Sequence, residues 1–302
     1  MEEKERRQRP EIAERIGELL RRQGADAYGW TKAEPVDTAE WALFERWLNA
    51  GYAAGMDYMR NYPDIRRDPR LLLEGAKTVI SVAYNYRQPN PIEGLATYAL
   101  GEDYHKVLRR RLKGVVAAMK EEYGGEWRIC IDSAPILERY WAVRAGVGYR
   151  SEIHGNVVVP GVGSMVFLAE LLTTLEIPER DDPAGVGVDK CDDSERTSGR
   201  RVCPNGALLG GGIVDARRCI NYLTIEKREE LTPEERRLTG KAVFGCDICQ
   251  RASMENRGEA RDVLPEFKPM EGLEAYLKGE ASDFELGKSP LKRGKVSQKK
   301  KK

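Results

Sequence analysis

Five of the six cysteines in this 302-residue chain fall between positions 191 and 249, and no other feature limits what it can fold into as tightly. Six thiols are too few to staple a chain of this length, and clustered thiols in a reducing compartment bind metal or carry electrons. Cys246 and Cys249 form a C-x-x-C turn, Cys203 precedes Pro204, and Cys219 lies between them. A C-x-x-C turn lets two thiolates grip one edge of an iron–sulfur cluster. In two-cluster ferredoxin-like folds the cysteine before proline joins the cluster whose other ligands come from the second motif. Cys203, Cys219, Cys246 and Cys249 therefore make one complete set of four metal ligands. The same set suits structural zinc or four unliganded thiols, and spacing alone leaves these alternatives open. Cys130, in an apolar run, reads as an inert core thiol, and Cys191 as an exposed thiol in a charged loop.

No stretch approaches the roughly 18 apolar residues of a membrane helix, and the N-terminus MEEKERRQRP lacks the apolar core of a secretion signal. The expected location is the cytoplasm, with no membrane partner. The balance of 50 basic and 49 acidic residues conceals a division. Residues 288 to 302 hold eight basic side chains and no acidic one, which leaves an acidic body and a basic tail.

Apolar periodicity predicts helices over 11–23, 38–49, 105–119 and 135–145, with strands over 77–86 and 128–131 and apolar segments at 156–159 and 164–172. Helices alternating with buried strands predict an α/β layered domain over residues 1–175. Composition then shifts to Pro, Gly, Asp and Arg. A cysteine-bearing domain follows over 176–260, with one helix at 216–227, and 261–302 reads as a partly disordered extension ending in the basic tail. Asp132 follows a strand, where side chains line clefts in open sheets, although it also fits a cap for the helix at Pro135. Lys106, Arg109, Arg110, Arg111 and Lys113 form a basic run suited either to phosphate contact or to a solvated helix face.

Longer motifs carry a resemblance. Met56-Asp57-Tyr58-Met59, Arg66-Arg67-Asp68-Pro69-Arg70, Gly101 through Leu108, Ile131-Asp132-Ser133-Ala134-Pro135-Ile136-Leu137-Glu138, Cys203-Pro204-Asn205-Gly206-Ala207, Asp215-Ala216-Arg217-Arg218-Cys219 and Gly245-Cys246-Asp247-Ile248-Cys249-Gln250 occur in order. Together they resemble the epoxyqueuosine reductase family over roughly residues 11 to 295. The resemblance implies a mixed α+β or α/β fold, with a nitroreductase-like cobalamin-binding domain and a ferredoxin-like domain holding two [4Fe–4S] clusters. It implies reduction of the epoxide of epoxyqueuosine to an alkene at the tRNA wobble position. An external low-potential electron donor feeds the reaction, and the chain is expected to act as a monomer. Asp132 matches the catalytic acid, and burial beside a corrin is expected to raise its pKa. Arg66, Tyr104, His105, Asn156 and Ser164, with Asp132, match positions around the cobalamin. Two rival readings keep part of this picture: reduction of a small molecule, as in reductive dehalogenases, and a non-catalytic relative binding cobalamin or RNA.

The chain departs from the family at one cluster. A C-x2-C-x2-C-x3-C-P run ending at Cys203 requires cysteines at 193, 196 and 199, where Asp193, Arg196 and Gly199 stand, and Ser253 occupies the remaining ligand position. All four ligands of one cluster are missing and all four of the other remain. The expectation is a single [4Fe–4S] cluster, the one nearer the corrin.

Overall fold

The run Thr78–Asn85 has no charged residue, and a strand with no charged face must be covered on both sides. The computed structural model describes residues 2–178, 202–280 and 284–293, and all eight residues of this strand are buried in it. In chain order the first part comprises α1 (Glu2–Arg22), β1 (Ala27–Lys32), α2 (Thr38–Asn49), α3 (Pro63–Arg67), β2 (Thr78–Asn85), α4 (Tyr104–Tyr123), β3 (Trp127–Cys130), α5 (Glu138–Arg144), β4 (Tyr149–Arg150), β5 (Val157–Val158) and β6 (Val166–Thr173). The main sheet has the order β1-β2-β6-β3, and every pairing in it is antiparallel. Helices flank it on both faces, so the fold is mixed α and β as expected.

One face carries Ile80, Val82, Tyr84, Phe167 and Leu171, which pack with Ile16 and Leu20 of α1 and Leu108, Leu112 and Met119 of α4. The other carries Val79, Cys130 and Leu172 against Trp41 of α2 and Trp141 of α5. Cys130 is the core thiol expected of it; burial pushes its pKa up to about 12. The end of α5 approaches β1 so closely that a Cβ on Gly29 would lie 1.9 Å from the Ala145 carbonyl oxygen, so that contact requires glycine.

The cysteine segment contains the hairpin β7 (Leu208–Gly210) and β8 (Ile213–Val214), a 3-10 turn Ala216–Arg218, a π-helical turn Tyr222–Glu226 and two short helices, Pro233–Thr239 and Ile248–Ala252. The continuous helix expected over 216–227 is broken because Cys219 takes extended backbone. Beyond it the Thr224 hydroxyl donates to the Ile220 carbonyl (2.8 Å) and accepts from the Gly245 amide (2.9 Å), which widens the turn and ties it to the C-x-x-C loop.

This segment is stitched into the sheet domain. Ala96 donates to Phe244 O, Ala216 to Tyr52 O, and the Gln250 amide to Ser164 O (2.7 Å). Part of the stretch expected as an extension folds back as well. Phe267 enters the main core, and Leu273 and Leu291 pack with Leu95, Leu100 and Phe244. Cys191, the substituted positions Asp193, Arg196 and Gly199, and the tail beyond residue 293 lie outside the described residues.

Candidate active site and cluster ligands

Asp132 stands two residues beyond the end of β3 with a positive φ of 53°, a conformation that Asp tolerates better than most residues. It does not cap the following helix, which begins at Glu138 after an N-cap at Leu137. Instead its backbone N–H donates to the Glu138 carboxylate, and its Oδ2 lies 2.9 Å from His105 Nε2. The side chain is 55% exposed, so the carboxyl held by His105 stands at the protein surface.

Asp103, with no exposed surface on its side chain, caps α4 by accepting the His105 N–H and also lies 2.8 Å from His105 Nδ1. A carboxylate at this nitrogen fixes Nδ1 as the protonated one and turns Nε2 toward Asp132. Tyr104 stacks on Phe167 (4.3 Å between centroids) and on His105, and its hydroxyl bonds Asp132. Burial and the Asp132 charge hold the Tyr104 phenol well above its usual range, so it is a neutral donor.

Further residues surround Asp132. Tyr58, 47% exposed, donates to Glu226 Oε2 (3.3 Å) and lies within electrostatic reach of Asp132. Arg66 is buried and holds the backbone carbonyls of Tyr58 and Asn61, so it positions the Tyr58 loop. Tyr98 feels the charges of both Asp132 and Glu226 and sits beneath Gly245. Arg139 is exposed and donates to Gly155 O (3.0 Å); surrounding protein and the Arg150 charge hold its guanidinium below its usual value. His154 beside it is buried, held down to about 4, with an Nε2 that has no partner.

Ser164 is buried. It is enclosed by Asn256, which accepts its N–H (2.9 Å) and donates to its Oγ (2.8 Å), and by Gln250. The Asn156 N–H donates to His154 Nδ1 (3.2 Å) in the same loop. The basic run on α4 is largely committed within the chain: Arg110 and Arg111 pair with Glu266, and Lys106 donates to Gly287 O. Arg109 lines a cavity of about 460 Å³ with Trp127, Arg128 and Ser133.

The four cysteine thiols of the predicted set come together. Cys203 and Cys246 act electrostatically on Cys249, as does Cys219, and burial with this mutual repulsion raises Cys246 to about 11 and Cys249 to about 12. Backbone donors point at each sulfur: Ala207 N–H at Cys203 (3.4 Å), Tyr222 and Asn221 at Cys219, Ile248 at Cys246 and Gln250 at Cys249. Four soft donors ringed by amides fit an iron–sulfur cluster, whose sulfurs accept such bonds and whose charge lowers thiol pKa values. Among the described residues, no three His, Cys, Asp or Glu side chains stand ready to hold a single metal ion. Ser253 is buried and its hydroxyl is taken by Glu255.

An aspartate held by His105 and Tyr104, in one chain with four gathered thiols, equips an iron–sulfur oxidoreductase. Comparisons agree. The family model for epoxyqueuosine reductase QueG, DUF1730, matches residues 66–133, and that for a 4Fe-4S double cluster binding domain matches residues 200–252. The epoxyqueuosine reductase of Cyclobacterium marinum is 39% identical over 241 residues, covering 76% of this chain and 74% of the relative. That of Leadbetterella byssophila is 34% identical over 258 residues, covering 84% and 82%. The chain spans 62% of the Escherichia coli relative, at 38% identity. A crystal structure of epoxyqueuosine reductase with an epoxyqueuosine-modified tRNA stem loop superposes with a TM-score of 0.81 at 26% identity, covering 95% of this chain and 78% of that one. A Bacillus subtilis epoxyqueuosine reductase with its catalytic aspartate loop swung out of the active site gives 0.75 at 26% identity, with coverages of 95% and 78%. The chain belongs to the epoxyqueuosine reductase family.

Among the described residues no helix is long and apolar enough to cross a membrane.

Proposed function

We propose that this chain reduces epoxyqueuosine in tRNA to queuosine, with Asp132 as proton donor and one [4Fe–4S] cluster, held by Cys203, Cys219, Cys246 and Cys249, as the electron entry point. The observation that carries the reading is the setting of Asp132, bonded to His105 and Tyr104, with Tyr98 within electrostatic reach of it and against Gly245 of the C-x-x-C loop. Cobalamin would be held against Tyr58, Arg139 and the Gly155 backbone, and would supply a low-potential cobalt centre for the two-electron reduction. The reaction consumes two electrons and two protons; both carbon–oxygen bonds break, an alkene forms, and the oxygen leaves as water.

The chain's own residues manage the protons. Because Asp103 holds Nδ1–H, His105 Nε2 and Asp132 Oδ2 share one proton, and the Tyr104 hydroxyl steadies the second contact to Asp132. Asp132 gives a proton to the departing oxygen, and His105 helps it regain one. Tyr58, Arg139 and the Gly155 backbone line the space a corrin needs, and the orphaned His154 Nε2 marks a buried polar group available to such a ligand. The Ser253–Glu255 bond supports the loss of the second cluster. The tRNA stem loop bound by the solved relative supports the substrate, and an external low-potential donor supplies electrons to the single cluster.

Two measurements test this. Anaerobically reconstituted protein should contain about four iron per chain, and about eight would overturn the single-cluster reading. Asp132→Asn should abolish turnover of epoxyqueuosine-containing tRNA while the cobalamin and cluster absorbance persists. Undiminished turnover would remove Asp132 from the mechanism.

A further inference from the structure

Asp103 is buried at the head of α4, and its second carboxylate oxygen receives a cation from the far end of the chain: Lys292 Nζ lies 3.0 Å from Oδ2. The same C-terminal segment grips α4 at two further points. Asp103 N–H donates to Lys288 O (2.7 Å), and Lys106 Nζ donates to Gly287 O (3.0 Å). Leu291, with no exposed surface, anchors the segment beside Leu95, Leu100 and Phe244, and the Ser289 hydroxyl accepts the Leu291 N–H. Lys292 itself is 30% exposed, so the segment does not need this cation to bury its apolar anchor.

An unbroken chain of polar contacts results: Lys292 to Asp103 Oδ2, Asp103 Oδ1 to His105 Nδ1, and His105 Nε2 to Asp132 Oδ2. A buried carboxylate with an ammonium beside one oxygen and the His105 backbone and ring on the other is restrained in its rotation. We propose that Lys292 is a positioning residue for the reduction: by holding Asp103 in place, it fixes the His105 tautomer and so places the proton shared with Asp132. This rests on the reading of Asp132 as the acid. Tyr104 lies against the His105 ring, tilted 32° to it, and Glu138 shares its electrostatic surroundings. Neither replaces the ammonium, since Tyr104 is neutral and Glu138 is acidic.

The test uses the holoprotein with Lys292→Met and Lys292→Arg, and reads the ring nitrogens of histidine by NMR after 15N-histidine labelling. The chain has two histidines, so His154, remote from the contact chain, serves as the internal reference. In Lys292→Met the His105 ring signals should move away from the Nδ1–H pattern while those of His154 stay in place. In turnover of epoxyqueuosine tRNA, kcat should fall by about 10- to 100-fold with KM little changed, as expected when a reacting group is misplaced while substrate binding is intact. Lys292→Arg should restore most of both. Iron content and melting temperature within error of wild type establish that the Met variant is folded. Unchanged His105 signals in a folded Met variant, or an Arg variant as impaired as Met, would overturn the proposal. If the wild-type protein fails to convert the tRNA, the assigned reaction falls, while the ring signals still decide whether Lys292 governs His105.

Discussion

Asp132 shows how a single backbone angle constrains what can be learned by substitution. At a φ of 53° most side chains pay about 1–2 kcal/mol, and Asn pays little because its amide tolerates the left-handed region. Asp132→Asn should therefore melt close to wild type, whereas Asp132→Ala should lose about 1 kcal/mol or more of stability in addition to activity. Equal melting curves for the two variants would show that the loop relaxes and stores no strain. At this scale the chain was unevenly legible. The cysteine foursome followed from spacing, because ligand chemistry dictates it. The family motifs led to Asp132 and His105, but not to the bond between them, which joins positions 27 residues apart. Arg66 and Ser164 look the same in a sequence whether they touch a cofactor or brace a backbone. Here Arg66 holds carbonyls and Ser164 is enclosed by Asn256 and Gln250.

Elements with one strong local signal matched their expectations closely: α2 runs over Thr38–Asn49 as predicted, and β2 fills Thr78–Asn85 within the expected 77–86. Where local and distant demands compete, the pattern misled. The stretch 216–227 has helical periodicity, but Cys219 must present its thiol among the other three and Thr224 must hold Gly245. A Cβ on Gly245 would come within 2.7 Å of Ala96 at a φ of +71°, so this junction accepts only glycine without strain. The basic run on α4 was ambiguous because its partner, Glu266, is 155 residues from Arg111 and invisible to any local window. A further hydrogen bond ties the π-helical turn to the front of the cleft, where the Tyr222 hydroxyl accepts the Gly55 N–H (2.9 Å). Tyr222→Phe leaves that amide without its acceptor and should cost about 1–3 kcal/mol, seen as a lowered denaturation midpoint. An unchanged midpoint would mean that water replaces the hydroxyl.

Across the whole molecule, two carboxyls leave a signature in the pH dependence of stability. Glu138, inside the cleft wall and facing the Asp132 charge, is pushed up from 4.5 to about 8, and Glu170, at the centre of β6 with Ser81 as its donor, is held well above 4.5 by burial. Their unfolded counterparts ionise near 4.5, so between there and about 8 the native state binds more protons than the unfolded one. Stability from these groups is then complete below about pH 4.5 and declines as pH rises toward 8. Urea midpoints measured from about pH 5 to 8 should fall with pH in wild type and fall less in Glu170→Gln. An identical slope in the variant would place the effect elsewhere.

The clasp of residues 287–292 on α4 has a consequence in time. A ribosome delivers a chain from its N-terminus, so the sheet, the Asp132 loop and all four cysteines emerge before the residues that hold Asp103. Asp132 and His105 therefore gain their support through Asp103 only after residues 287–292 have followed the cysteines out of the ribosome. Until then the four thiols can gather in a fold whose Asp103–His105–Asp132 contacts are not yet braced. Under the proposed function, electron entry and proton supply thus come into being in sequence, and residues 287–292 decide when the two can meet.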